Sequence, residues 1–464
     1  MSPDATGAQS SGATQRFNFF QRMMLRWREL HPYNPVHVLQ LPVPLQPERL
    51  REVLAAQLEA QGLTGLAVDR RRWRYRYTGG PAQLALRIVD GAGDADATLA
   101  QVIEEEFNRP FAPGPQEQPF RFVAIDEHGS FRLALAYDHY VAGGEAIARW
   151  LTRLAGALLD EGPAAVPPRL PPDGARYRHA LLRHPGWALR ALLGLPQTIG
   201  QSRRACRARF ERADDRHNAF RSLRLGVAQT RALRAAASEW GVTLHELLTA
   251  CLLLSLSPLV PRRGGTARRQ ELAVASIMNM RRDLAPAAQS GLSPFLAAYR
   301  VSHRVPEGIA LRQLAGDVHQ QSQHIQRRHL YLHSLLGLAL SVPLWRLLTP
   351  AQRDGFYAKH FPVQAGITSV DLNRLWARDG GAPARRFGYL RAVPTGPLCP
   401  LVLAVTQAHD ELQLGLAFRT SAFPRETVER LAANLLQHVA RSSELSSAPS
   451  CEPSAAPPTT VVAS

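Results

Sequence analysis

The stretch from Leu133 to Leu151, LALAYDHYVAGGEAIARWL, constrains the fold of this chain more than any other. Leu133, Leu135 and Tyr137 alternate with Ala134, Ala136 and Asp138, which is the two-residue period of a strand. His139 ends the strand, and Gly143 and Gly144 break the chain direction. From Glu145 the apolar residues Ile147, Trp150, Leu151, Leu154 and Leu158 recur at helical spacing. A strand that passes so directly into a helix belongs to an α/β architecture. The loop between them presents a histidine from a fixed scaffold, where such folds hold their chemistry. A loop histidine can equally be a space-filling residue, and the segment alone leaves both readings open.

At 464 residues the chain exceeds one ordinary core, so two or three lobes are expected. A hydrophobic share of 45% with 20% charged residues is that of a globular protein. The net charge of +17 suggests nucleic acid, but of 55 basic residues only Lys359 is a lysine, and no basic stripe interleaved with aromatic residues occurs. Arginine in that excess, beside abundant alanine, proline and glycine, resembles GC-rich codon usage. The charge still favours an anionic partner: a coenzyme A phosphate, an acidic carrier protein or a lipid head group. Cys206, Cys251, Cys399 and Cys451 are scattered without a CxxC pair, so neither a disulfide framework nor a zinc ribbon is expected. The opening residues lack an apolar core, which predicts no signal peptide, and no apolar run is long enough to span a bilayer. A cytoplasmic protein, at most peripheral to the inner face of the membrane, is the expectation.

Taken in order, the chain predicts a disordered tail over 1–14 and a first lobe over 15–161 that carries the histidine motif. A proline-rich and basic amphipathic linker follows over 162–220, then a second lobe over 221–445 and a disordered tail over 446–464. Within the first lobe, Phe120 to Ile125 and Ser130 to His139 read as a hairpin. The linker opens with five prolines between Gly162 and Gly174. Residues 177–212 mix arginines with Leu181, Leu182, Trp187, Leu189, Leu192 and Leu193. Such a segment can lie on an anionic membrane surface or pack on the protein as a bridge between lobes. In the second lobe Thr243 and Glu246 form a capping box before a helix that is apolar nearly all round. His329 and His333 have the spacing of a metal pair, but no third ligand accompanies them, so no metal site is expected.

In this order the landmarks resemble the chloramphenicol-acetyltransferase-like acyltransferase superfamily. Its members include nonribosomal peptide condensation domains, alcohol acetyltransferases, polyketide-associated acyltransferases and wax-ester synthases. NRPFAPG followed by PFRF resembles the stretch ahead of the active-site strand. YDHYVAGGE sits where the family carries HHxxxDG. SIMNMRRDL resembles the second-lobe strand that ends in an arginine, and the segment from LAVTQAHDEL to NLLQHV resembles the closing hairpin and helix. The resemblance implies an α/β fold of two chloramphenicol-acetyltransferase-like lobes, each a mixed β-sheet flanked by helices, with an active-site tunnel between them. It implies acyl transfer from coenzyme A or an acyl carrier protein to a small-molecule alcohol or amine. No cofactor is then bound permanently, and acyl-CoA or acyl-phosphopantetheine is the co-substrate.

By the same resemblance His139 is the general base. Asp138 stands at the first motif histidine, Gly143 at the motif aspartate and Gly144 at the motif glycine. In relatives that aspartate pairs with the second-lobe arginine, matched here by Arg281. An arginine left alone there would cost ~3–5 kcal/mol if buried. Glu145 and Asp283 are the acids expected to replace it, unless Asp138 instead holds the His139 ring. Ser369, Asn373 and Asn279 are candidate contacts to the oxyanion or acceptor. The glycine also motivates a rival reading, a non-catalytic condensation-like protein that recruits a carrier protein or partner enzyme. A third reading is a membrane-surface enzyme making wax esters or acylglycerols, docked through 177–212.

Overall fold

The computed structural model describes residues 14–91, 93–114, 116–159, 177, 184–212, 214–261, 268–284, 291–397 and 399–447. All but the last residue of the expected tail 1–14, the proline-rich stretch 162–174 and the tail from 448 lie outside the described residues.

The hairpin read from the sequence forms, and Phe120–Asp126 pairs antiparallel with Phe131–Tyr137. It is the centre of a five-stranded mixed sheet. Val36–Leu41 adds antiparallel on one side, and Leu86–Asp90 adds parallel on the other. The alternation seen in the sequence separates two buried faces rather than core from solvent. Leu133, Leu135 and Tyr137 face the helix Gly144–Leu158, while Ala134 and Ala136 face the helix Ala95–Asn108. That second helix buries Leu99, Val102, Ile103 and Phe107, each contributing on the order of 2 kcal/mol of transfer free energy before chain entropy is counted.

The second sheet has six strands. Leu296–His303 and Leu272–Asn279 pair antiparallel, and Ala365–Asp371 joins parallel on both sides, to Leu272–Asn279 and to Leu401–Ala408. Glu411–Arg419 and Asn218–Leu225 complete it antiparallel. The apolar helix Leu244–Leu256 is buried, and the Thr243–Glu246 capping box forms in both directions. A small sheet of Gln15–Arg16, Arg74–Tyr77 and Leu66–Asp69 stands apart.

One element departs from the division into successive lobes. Gly388–Ala392, expected within 221–445, is the outer strand of the first sheet, antiparallel to Val36–Leu41. It crosses the second sheet where Gly415 has no side chain, since a Cβ there would lie 2.3 Å from the Arg391 carbonyl oxygen. The expected linker 162–220 also reaches into structure. Pro185–Arg204 is a helix, and the strand Asn218–Leu225 begins before residue 221.

Candidate active site

The strand Phe131–Tyr137 ends in a turn fixed by backbone bonds. The Asp138 N–H donates to the Pro119 carbonyl at 3.0 Å, and the Val141 N–H donates to the Asp138 carbonyl at 3.0 Å. His139 is thereby held in the wall of a cavity, 6% exposed. Its Nδ1 lies 3.0 Å from the Ala142 carbonyl oxygen. A carbonyl only accepts, so Nδ1 carries the proton and Nε2 keeps a lone pair. Burial pushes the imidazole down to about 4, against the Ala142 carbonyl and with help from the nearby Arg391 cation. The ring is neutral across the neutral pH range, as a general base must be.

The supporting residues are arranged differently from the expectation. Asp138 does not hold the His139 ring. Its carboxylate is bound by Arg28, whose Nη1 also reaches Glu117 at 3.2 Å. Glu117 in turn accepts from Arg70 at 3.1 Å and from the Tyr140 hydroxyl at 2.7 Å. The stretch of backbone between Leu292 and Phe295 packs against Gly143, the position matched to the motif aspartate. The Gly143 N–H donates to the Leu292 carbonyl at 2.8 Å, and a Cβ on Gly143 would meet Pro294 Cα at 3.5 Å. Arg281 donates from Nη2 to the Ser293 carbonyl at 2.5 Å and lies over the Phe295 ring. Both sides of the missing ion pair are thus met by one loop. Of the acids expected to replace the aspartate, Asp283 instead accepts from the Tyr331 hydroxyl at 2.9 Å, and the Glu145 carboxylate acts on Arg391.

The buried Arg28–Asp138–Glu117 cluster supports the turn from behind. Asp138→Ala leaves Arg28 with Glu117 alone, and a loss of about 3 kcal/mol is expected in denaturant unfolding. Asp138→Asn is expected to lose less, because it keeps a hydrogen-bond acceptor. Equal stability of wild type and Asp138→Ala would remove the cluster from this account.

The cavity encloses about 150 Å³ and is built by both lobes. The first lobe supplies Trp27, His37, His139 and Glu145, and the second supplies Asn279 and Ser369. At Glu145, Ser369 and Val370 it meets a polar cleft of about 720 Å³ bordered by Arg234, Arg374 and Arg378. At Ala298, Ser334 and Phe361 it meets an apolar cavity of about 190 Å³ lined by Leu195, Ile325 and Leu330. Gly144 opens its helix beside the His37 ring, 3.8 Å from where a Cβ would stand.

Ser369 bonds His245 Nδ1 at 2.8 Å, and His245 Nε2 bonds the Ser276 hydroxyl at 2.7 Å. Asn279 accepts the Arg281 N–H through its Oδ1 at 3.0 Å, which turns that oxygen away from the cavity's chemistry. Asn373 leaves the candidate set, because its amide clamps His409, donating to the carbonyl and accepting from the N–H. His329 and His333 are pins for the helix Pro185–Arg204. His329 stacks on Trp187, and His333 bonds the Thr198 hydroxyl at 2.8 Å.

Arg391, His37, His245, Arg28 and Glu117 were not singled out by sequence reasoning. Arg391 carried a usable signal, a charged residue in the alternating apolar strand around GYLRAV. Glu117 also stands out, as the lone acid of NRPFAPGPQEQPFRF.

No protein-family model matches the chain, and no curated protein matches it. Solved structures do. The first condensation domain of the calcium-dependent antibiotic synthetase, in complex with a substrate analogue, superposes with a TM-score of 0.66 at 16% identity over 94% of this chain and 98% of that one. The starter condensation domain of rhizomide synthetase, as a mutant in complex with C8-CoA, gives 0.64 at 15% identity over 94% and 95%. The SgcC5 protein of Streptomyces globisporus gives 0.62 at 14% identity over 92% and 98%. The chain has the two-lobed condensation-domain fold of the chloramphenicol-acetyltransferase-like group, as the landmark order implied.

Proposed function

We propose that the protein is an acyltransferase that moves an acyl group from a thioester of coenzyme A or of a carrier protein to a small alcohol or amine. One observation carries the reading. An open cavity reaches a buried, neutral histidine whose tautomer leaves Nε2 as the proton acceptor. His139 Nε2 takes the proton of the acceptor O–H or N–H as that atom attacks the thioester carbonyl carbon. The new C–O or C–N bond forms and the carbonyl becomes an oxyanion, for which the Ser369 hydroxyl and the Asn279 amide N–H are the proposed donors. As the oxyanion collapses the C–S bond breaks, and the imidazolium returns its proton to the leaving thiolate. An imidazolium so disfavoured by burial is a strong acid, which suits that return. Glu145 and Gly144 shape the cavity beside the base, and Arg281 fixes the facing loop.

Three neighbouring cavities that share lining residues support the division of the substrate. The arginine-bordered cleft suits the phosphates of a pantetheine arm, and the apolar cavity suits an acyl chain. The rhizomide relative solved with C8-CoA has the same fold. The test is acyl transfer by the full chain with short, medium and long acyl-CoA and acyl-carrier-protein donors. Transfer of any of these to an alcohol or amine supports the reading. The rival reading, a protein that only recruits carriers, predicts carrier binding with no transfer from any donor, and the open approach to His139 counts against it.

A membrane-surface role has its own support. Among the described residues seven large apolar side chains are exposed. Six of them, Leu189, Leu192, Leu193, Ile199, Leu344 and Leu347, lie on the helices Pro185–Arg204 and Leu332–Leu347. Gly194 lets the first helix seat tightly, since a Cβ would meet the His333 ring at 2.9 Å. The outward leucines therefore belong to a fixed surface, with Arg190, Arg203 and Arg204 on the same helix. Co-sedimentation with phosphatidylserine-rich vesicles is expected, and Leu192→Glu with Leu193→Glu should lower it at least about 10-fold. Wild type left wholly in the supernatant would exclude lipid docking. No described helix is long and apolar enough to cross a membrane.

A further inference from the structure

Arg391 makes no contact with the reacting groups in the transfer derived above, yet it is 2% exposed and lines the same cavity as His139. The crossing strand delivers it there. Leu390 and Ala392 face the helix Ala95–Asn108, while Tyr389 and Arg391 face the opposite way. Nη2 makes two long contacts to Thr368, 3.4 Å to the carbonyl oxygen and 3.3 Å to Oγ1. Nε and Nη1 are buried with no partner among the described residues. The titratable groups around it are His37, His139, Tyr137, Tyr389 and Glu145. Glu145 is the acid of that set, half-buried where the cavity meets the cleft, and it forms no ion pair with Arg391. A guanidinium is a planar fork of donors matched to a carboxylate, and a buried cation with no ion-pair partner strongly favours an anionic ligand.

We infer that Arg391 binds a carboxylate carried by one of the two substrates, fixing that substrate beside His139. The word substrate rests on the acyl-transfer reading; the carboxylate site itself does not. A cavity of about 150 Å³ has room for one aromatic ring, so benzoate and its neutral isostere benzamide are suitable probes. With the full chain, calorimetry is expected to show benzoate binding at least about 10-fold more tightly than benzamide. Arg391→Met removes that preference without lowering the melting temperature, because an unpaired buried charge leaves with it. Glu145→Gln strengthens benzoate binding, because the competing carboxylate is gone. Equal binding of the two probes to wild type, or an unchanged preference in Arg391→Met, overturns the site.

Turnover then separates the two sources of the carboxylate. KM is compared for 3-hydroxybenzoate against 3-hydroxybenzamide as acceptor, and for succinyl-CoA against butyryl-CoA as donor. The pair whose preference for the acid disappears in Arg391→Met carries the group; persistence in both pairs overturns the assignment. Benzoate selectivity that depends on Arg391, in a protein with no transfer activity, upholds the site and sinks the acyltransferase reading alone.

Discussion

Lowering the pH from 7.5 to 5 is expected to remove at least about 3 kcal/mol of stability, a large fraction of what a folded protein has. His31, His37 and His139 are buried. Burial pushes His31 and His139 down to about 4 and His37 well below its ordinary value. A histidine whose folded pKa is depressed stays neutral while the unfolded chain takes up a proton. Its contribution is therefore intact above about 6.5 and is lost as the pH falls from there toward 4. At pH 5 His31 and His139 each contribute a loss of about 2 kcal/mol, and His37 adds a loss of the same sign. His245, half-buried at the mouth of the polar cleft, adds less. Asp138 acts the other way. Burial, opposed by Arg28, raises its carboxyl to about 6, so the folded state gains that proton first and recovers about 1 kcal/mol at pH 5. The melting temperature should fall by at least about 3 °C across this range. A melting temperature that is flat down to pH 5 would mean that these histidines are hydrated or charged in the folded protein.

The strand–loop–helix around His139 was legible in the sequence because its period changes from two to 3.6 within a few residues. The hairpin before it, the capped apolar helix at 244–256 and the closing hairpin were legible for the same local reason. Arg391 illustrates what was not. Its strand is read easily as a strand, but which sheet receives it depends on a crossing permitted by Gly415 in a different strand. The fate of the motif aspartate was equally hidden. Side-chain logic asked which acid would replace it, whereas the contacts come from backbone carbonyls at Leu292 and Ser293. Any residue has a carbonyl, so residue identity carries no signal for it. Asp138 shows a third case. One position away from the base, in the turn after the strand, it serves the buried cluster with Arg28 and Glu117 rather than the imidazole.

His139→Ala is the second large effect. General-base assistance is worth about 10²–10⁴ in rate, and the loss should fall on kcat more than on KM, because the proton is transferred only as the acceptor attacks. The acid limb of kcat/KM for the wild-type protein should lie near 4, well below the ordinary histidine range. Within the folded range the rate should therefore change little between pH 6 and 8. The most direct measurement is single-turnover acyl transfer at pH 7.5, wild type against His139→Ala, with the folded fraction of each checked by its melting curve. The expected result is a rate lower by at least about 100-fold in a variant that remains folded. Equal rates in the two proteins would contradict the assignment of His139 as the base.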